Sequence, residues 1–518
     1  MNRKDLLGRV RESREKWEMV VIGGGATGIG VAVDAASRGY RVALLEQSDF
    51  GKGTSSRSTK LAHGGVRYLE QGNVPLVLEA LRERGLMRRN APHLVHDLAF
   101  VVPSYDWWEA PFYGLGLRVY DLLAGRYGFG RSRNLSREET LERLPTLRTD
   151  GLRGGIVYYD GQFDDARLLV HLARTAVEQG AVLLNYARVR GMIHGPHGYL
   201  AGVEAQDEES GEVFRIESRV VINAAGAFCD AVRRMAGSGD PMIAPSQGVH
   251  LVFDGSFLGG ESAIMVPRTQ DGRVLFALPW HGHTLVGTTD TPVHEATLEP
   301  VALEEEIDFI LSTAGAYLRQ PPTRSDILSV FAGIRPLVKS GDGVGTSALS
   351  RDHSIRIEQS GLVTICGGKW TTYRRMAEDC VDQAAMIGEL EERPCVTRDL
   401  RIHGFHPSAE AFGHLDVHGA DAPAILEMMR AEPALSERLH PRLPYQAAEV
   451  VWAARFEMAR TVEDALARRT RALFLDARAA LEMAPRVAEL MARELGRDAD
   501  WAAQQVAEFR GVTERYIK

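Results

Sequence analysis

Residues 18–46, "EMVVIGGGATGIGVAVDAASRGYRVALLE", decide the fold. They read as a strand (EMVVIG), a glycine-rich turn (GGATG), a helix (IGVAVDAASRG) and a second strand (YRVALLE), the opening of a βαβ unit. Gly23, Gly25 and Gly28 fall where the strand gives way to the helix. In that register Gly23 permits the tight turn, Gly25 lets backbone approach a pyrophosphate, and Gly28 lets the helix pack closely. The helix N-terminus then offers N–H donors and partial positive charge to phosphates. Glu46 closes the second strand 18 residues after Gly28, where a carboxylate can accept from ribose hydroxyls. The pattern predicts dinucleotide binding; the acid disfavours a 2′-phosphate but does not separate NAD from FAD.

Two later segments repeat the logic. "RVVINAAGAFCD" (219–230) is an apolar strand ending in small residues, with Ala225 and Gly226 where a cofactor can lie against backbone. "GLVTICGGKWTTYRRMAEDCVD" (361–382) runs from a strand through Gly367 and Gly368 to a helix opened by Thr371 and Thr372. Three such junctions, spread over about 350 residues of a 518-residue chain, imply one large cofactor in a discontinuous domain.

Composition sets the limits. A chain of this length exceeds one compact core, so two or three domains are expected, and 45% hydrophobic residues can fill them. The excess of 69 acids over 61 Lys and Arg, a net charge of -8, argues against a general nucleic-acid binder. Cys229, Cys366, Cys380 and Cys395 are scattered without a CxxC pair, which fits a reducing compartment and disfavours zinc; no metal site is expected. The N-terminal segment has no uninterrupted apolar core, so secretion is not expected. The apolar, uncharged run of residues 19–33 is shorter than the roughly 20 residues that span a bilayer, so membrane contact would be peripheral.

With "GTSSRSTKLAHGGVRYLE" (53–70), "FAGIRPL" (331–337), "LSRDH" (349–353) and "GGKWTTYRRMAED" (367–379) added, the chain resembles the FAD-dependent glycerol-3-phosphate dehydrogenases, a branch of the D-amino-acid-oxidase-like flavoproteins. The tail from 450 to 476 resembles that family's helical C-terminal domain. The resemblance implies an α/β fold: a discontinuous Rossmann-like FAD domain (1–90, 151–235 and 345–390), a substrate domain containing an antiparallel sheet (91–150 and 236–344), and an all-α C-terminal domain (391–518).

It also implies roles. Thr54, Ser55, Ser56 and Ser58 would serve the phosphates and ribityl chain of FAD, with Ala225, Gly226, Gly368 and Thr371 completing the cofactor site. His63 and Gly64 would pass the isoalloxazine ring. Arg67, Tyr68, Arg335, Arg351 and Lys369 would meet sn-glycerol 3-phosphate, whose dianionic phosphate needs fixed cations. His63 is the expected base for the C2 hydroxyl, since imidazole takes a proton reversibly near neutrality. Arg335 and Lys369 would help by lowering the alkoxide's energy. His250, His281, His283 and His353 are expected in surface or core roles.

Trp370 departs from the leucine that many members carry. The expected acceptor is membrane quinone, because the chain lacks the long insertion associated with the oxidases that use O2. Glycerol-3-phosphate oxidase and a non-catalytic FAD-binding subunit remain as alternatives. The stretch 105–133, with Trp107, Trp108 and Arg118, Arg126, Arg131 and Arg133, suits a headgroup interface, a buried aromatic cluster or a homodimer contact. The resemblance favours the membrane and places a bacterial-type enzyme in the cytoplasm, peripheral on the cytoplasmic face of the inner membrane. It includes no appended calcium-binding EF-hand.

Overall fold

The computed structural model describes residues 1–65, 73–106, 109–267, 269, 274–339 and 352–518, with backbone only at 109–111. The strand Trp17–Ile22 is central to a parallel sheet because its apolar side chains are covered on both faces. Val42–Leu45 pairs with it on one side and Val213–Asn223 on the other; Val182–Leu184 and Val363–Gly367 extend the sheet outward. His353–Ile357 adds an antiparallel edge. Ala26–Ser37 packs beneath as the crossover helix, buried along most of its length. Gly28 is required there, since a Cβ would lie 1.9 Å from the Gly23 carbonyl oxygen.

A second, largely antiparallel sheet stands beside the first. Its long strands are Val95–Ser104, Gly154–Phe163, Ile243–Asp254 and Ser329–Val338, and it includes the Leu275–Trp280 and His283–Gly287 hairpin. Gly154–Phe163 pairs along its whole length with Val95–Ser104 and so belongs to this sheet. Leu61–Ala62 crosses over in the same way by pairing with Gly161 and Gln162.

After an irregular segment at 391–408, the C-terminal region is mainly helical, with one hairpin formed by Arg438–His440 and Leu443–Gln446. Buried ion pairs dock it on the cofactor domain. Arg468 and Arg469 hold Asp49 at 2.5 and 2.7 Å, Arg167 holds Glu457 at 2.7 Å, and Arg471 holds Asp164 at 2.8 Å. Burial alone would raise the Asp49 carboxyl, but Arg469 and Arg468 outweigh it and hold it down at about 2. Among the described residues, no helix is long and apolar enough to cross a membrane.

Candidate active site

A cavity of about 840 Å³ opens at the carboxyl ends of the parallel strands and is closed on its far side by the second sheet. This is where ligands sit in open α/β sheets. Gly23, Gly25, Glu46, Thr54, Ser55, Ser58, His63, Ala225, Gly226, Arg335, Gly368, Lys369 and Thr371 all line it. Arg67, Tyr68 and Arg351, together with Trp107 and Trp108, lie outside the described residues.

The donor set fits a dinucleotide. Gly25 stands at the N-cap of Ala26–Ser37 and Thr372 at that of Tyr373–Ile387; neither side chain caps its helix, and both helix starts adjoin the cavity. Glu46 is half-buried, with Oε2 accepting from Gly24 N at 2.6 Å and Oε1 from Ser48 N at 2.8 Å. It thus shapes the glycine turn as well as facing the cavity. Its carboxyl is raised, by burial first, against the lowering effect of those two N–H donors.

The hydroxyls of the serine-rich loop have partners within the protein itself. Ser56 is turned away from the cavity, its buried Oγ donating to Gly51 O at 2.8 Å. Ser58 Oγ donates to Asp165 at 2.7 Å, because that buried carboxylate needs donors, and Thr54 Oγ1 donates to Ile334 O at 2.5 Å. Ser55 Oγ accepts from Ala26 N at 2.9 Å, which leaves its own proton to give. The loop therefore offers a ligand mainly backbone and Ser55.

The cations interleaved with those serines are structural. Lys60 Nζ reaches both Asp165 oxygens at 2.8 Å, and Arg57 pairs with Glu299 at 2.8 Å while donating to Ala332 O. They pin the loop between the two sheets.

Arg335 projects from Ser329–Val338 into the cavity. Its Nη1 lies 3.3 Å from Asp290 Oδ1 and 3.4 Å from Gln247 O, and its Nη2 donates to Thr288 Oγ1 at 3.1 Å. Ser246 hydrogen-bonds the same Asp290 oxygen. Gly248 makes the room: a Cβ there would sit 2.4 Å from Arg335 Nη2. His63 is held by its backbone, with His63 N donating to Thr371 Oγ1 at 3.3 Å. Trp370 Nε1 donates to Ser55 O at 2.8 Å and its ring meets Phe163 and Tyr373 edge-on, so Trp370 ties the serine loop to the start of the helix Tyr373–Ile387.

His250 was expected in a surface or core role and is indeed buried, yet it also forms part of the cavity wall. Its Nε2 is 2.9 Å from Thr59 Oγ1 and its ring stacks on Phe331 at 4.9 Å. Burial, then Lys60 and Arg335, push its pKa well below the usual histidine value, so the ring is neutral. Period-two alternation in "SQGVHLVF" (246–253) puts Ser246, Gly248 and His250 on one strand face, opposite Arg335, Gly333 and Phe331. That alternation is the signal that could have found it. His281 pairs instead with Asp164 and His353 with Asp379, while His283 bonds the His281 carbonyl.

Comparison with known proteins gives concordant results. Residues 18–374 match the family described as FAD dependent oxidoreductase, and residues 362–502 match the C-terminal domain of alpha-glycerophosphate oxidase. The chain is 42% identical to a mitochondrial glycerol-3-phosphate dehydrogenase of Arabidopsis thaliana, covering 96% of this chain and 86% of that one. It is 40% identical to the mitochondrial glycerol-3-phosphate dehydrogenase of Homo sapiens, covering 96% and 73%. The solved glycerol-3-phosphate dehydrogenase of Bacillus halodurans, complexed with FAD, superposes with a TM-score of 0.80 at 30% identity, covering 100% of this chain and 98% of that one. Sequence kinship over nearly the full length, and a cavity whose donors suit a dinucleotide, place the chain in the family of FAD-dependent glycerol-3-phosphate dehydrogenases.

Proposed function

We propose that the protein oxidises sn-glycerol 3-phosphate to dihydroxyacetone phosphate and passes the electrons to membrane quinone. The observation that carries the first half is the convergence of Arg335, Lys369, His63 and His250 on the cavity that the two helix N-termini adjoin. Bound FAD supplies the two-electron acceptor. Arg335 and Lys369 hold the substrate phosphate, with the guanidinium fork oriented by Asp290 and Thr288. His63 takes the C2 hydroxyl proton. His250, neutral and desolvated, offers a hydrogen bond without a second charge. Thr371 keeps the His63 backbone in place.

The acceptor reading rests on a surface. The helix Glu109–Ala124 exposes Phe112, Leu115, Val119 and Leu122 at 56%, 69%, 40% and 81%, and the neighbouring helix Val74–Asn90 adds Val74 and Leu78. Such an apolar face, with Arg118 and Arg126 nearby in sequence, suits shallow insertion among lipid headgroups on the cytoplasmic side of the inner membrane, where quinone dissolves. Anaerobic titration of the yellow protein with glycerol 3-phosphate tests the first half: the flavin should bleach stoichiometrically. Stopped-flow reoxidation by a quinone analogue against O2 tests the second, and faster reoxidation by O2 would favour an oxidase.

A further inference from the structure

Resting on the reading that His63 works beside the flavin, we propose that Tyr120, with Asp160 and Arg84 behind it, is a positioning residue that fixes the His63–Gly64 backbone. Gly64 N donates to Tyr120 Oη at 2.9 Å, and Tyr120 Oη donates to Asp160 Oδ2 at 2.7 Å. Asp160 Oδ1 in turn accepts from Arg84 Nη1 at 2.5 Å and from Gly161 N at 3.1 Å. Arg84 is anchored by Tyr127 O at 3.1 Å and lies over the Phe129 ring at 4.2 Å.

The direction of every bond in this chain is determined. Arg84 has no acceptor to offer, so Asp160 accepts from it. Asp160 then draws the Tyr120 proton, which leaves the phenol oxygen as acceptor for Gly64 N. Burial, followed by the Asp160 charge, raises the Tyr120 phenol well above its ordinary range, so that proton stays in place.

Position matters as much as polarity. Tyr120, Arg84 and Asp160 are 1%, 1% and 2% exposed. Burying a charged pair costs desolvation that packing alone does not require, so these residues do more than fill space. A Cβ on Gly64 would lie 2.5 Å from Tyr120 Oη and 2.7 Å from Leu81 Cδ2, so the segment is pressed against its support with no slack. Thr371 holds His63 N one residue earlier, at 3.3 Å. The imidazole is thereby carried on backbone fixed at two successive amides, and a shift of a few tenths of an ångström in that backbone moves the base relative to its substrate.

The test is Tyr120→Phe, which keeps the ring and removes the oxygen, assayed as FAD-loaded protein. Flavin reduction at saturating glycerol 3-phosphate, followed anaerobically by stopped flow, should slow about tenfold. KM should change by less than about threefold, and the flavin content should stay stoichiometric. Asp160→Asn cannot present the same acceptor pair and should give the same split of kcat from KM; it serves as the test if Tyr120→Phe does not fold. The double variant should lose no more than the worse single, because both act through one chain of bonds. Reduction within twofold of wild type in flavin-replete Tyr120→Phe, or a loss confined to flavin content and Tm, would overturn the proposal. If wild-type flavin is not bleached by glycerol 3-phosphate, the functional reading itself falls; bleaching in wild type with unaffected variants removes only the support.

Discussion

Arg335→Lys is the most informative single change to the substrate site. The guanidinium lies against Gly248, with Nη1 near Asp290 and Gln247 O and Nη2 on Thr288 Oγ1, so its plane is set before substrate arrives. A fork held this way can give a phosphate two parallel charge-assisted bonds, each of about 1.5–3 kcal/mol. Lysine keeps the charge but offers a point donor, and it cannot span Asp290 and Thr288 at once. Losing one bond and the preset orientation should cost about 2.7 kcal/mol, a hundredfold in kcat/KM at about 1.36 kcal/mol per decade. FAD content should not change, since Arg335 stands on the second sheet, across the cavity from the glycine turn. The assay is steady-state turnover with a soluble dye, alongside flavin absorbance. Glycerol serves as the control substrate: it lacks the phosphate, and wild type and variant should turn it over at similar, slow rates. A kcat/KM for glycerol 3-phosphate within threefold of wild type would refute the reasoning, as would an equal loss on glycerol.

Gly25→Val should yield colourless protein, because a Cβ there already lies 3.1 Å from Ser55 Oγ and a branched side chain would fill the phosphate approach; a yellow, stoichiometrically loaded variant would remove the turn from the site. Asp49→Asn should cost about 3–5 kcal/mol in chemical unfolding at neutral pH, since Arg468 and Arg469 would be left buried without their partner. The Asp49 carboxyl is held below its unfolded value, so this contribution is full above about pH 4 and fades as pH falls towards about 2; the gap between wild type and variant should narrow over that window, and a constant gap would contradict it. Replacing Leu115 and Leu122 by Ser should weaken sedimentation with anionic liposomes on the order of a hundredfold, from about 3 kcal/mol of lost apolar burial, while dye-linked activity stays intact. Unchanged liposome binding would move the membrane contact elsewhere.

The cofactor half of this protein was legible in the chain because its signals are local. Gly23, Gly25 and Gly28 form a spaced motif within six residues, in which Gly28 answers a steric demand from the Gly23 carbonyl, and Glu46 follows at a spacing that one helix and one strand dictate. Arg335 and Lys369 stood out through short motifs that the resemblance made specific. What the chain could not disclose was which polar groups spend their valences on each other. Arg57 and Lys60 sit among the cofactor-loop serines, yet their partners, Glu299 and Asp165, lie 242 and 105 residues away. Ser56 and Ser58 are likewise claimed by Gly51 and Asp165. His250 became part of the cavity wall only when Ile243–Asp254 paired with Ser329–Val338, and Gly64 met Tyr120 only when the helix Glu109–Ala124 packed over the second sheet. A turn or a helix start carries its conformational requirement in neighbouring residues, whereas a buried hydrogen bond depends on which donor and acceptor the packed chain brings within about 3 Å, and that distance exists only in the tertiary structure.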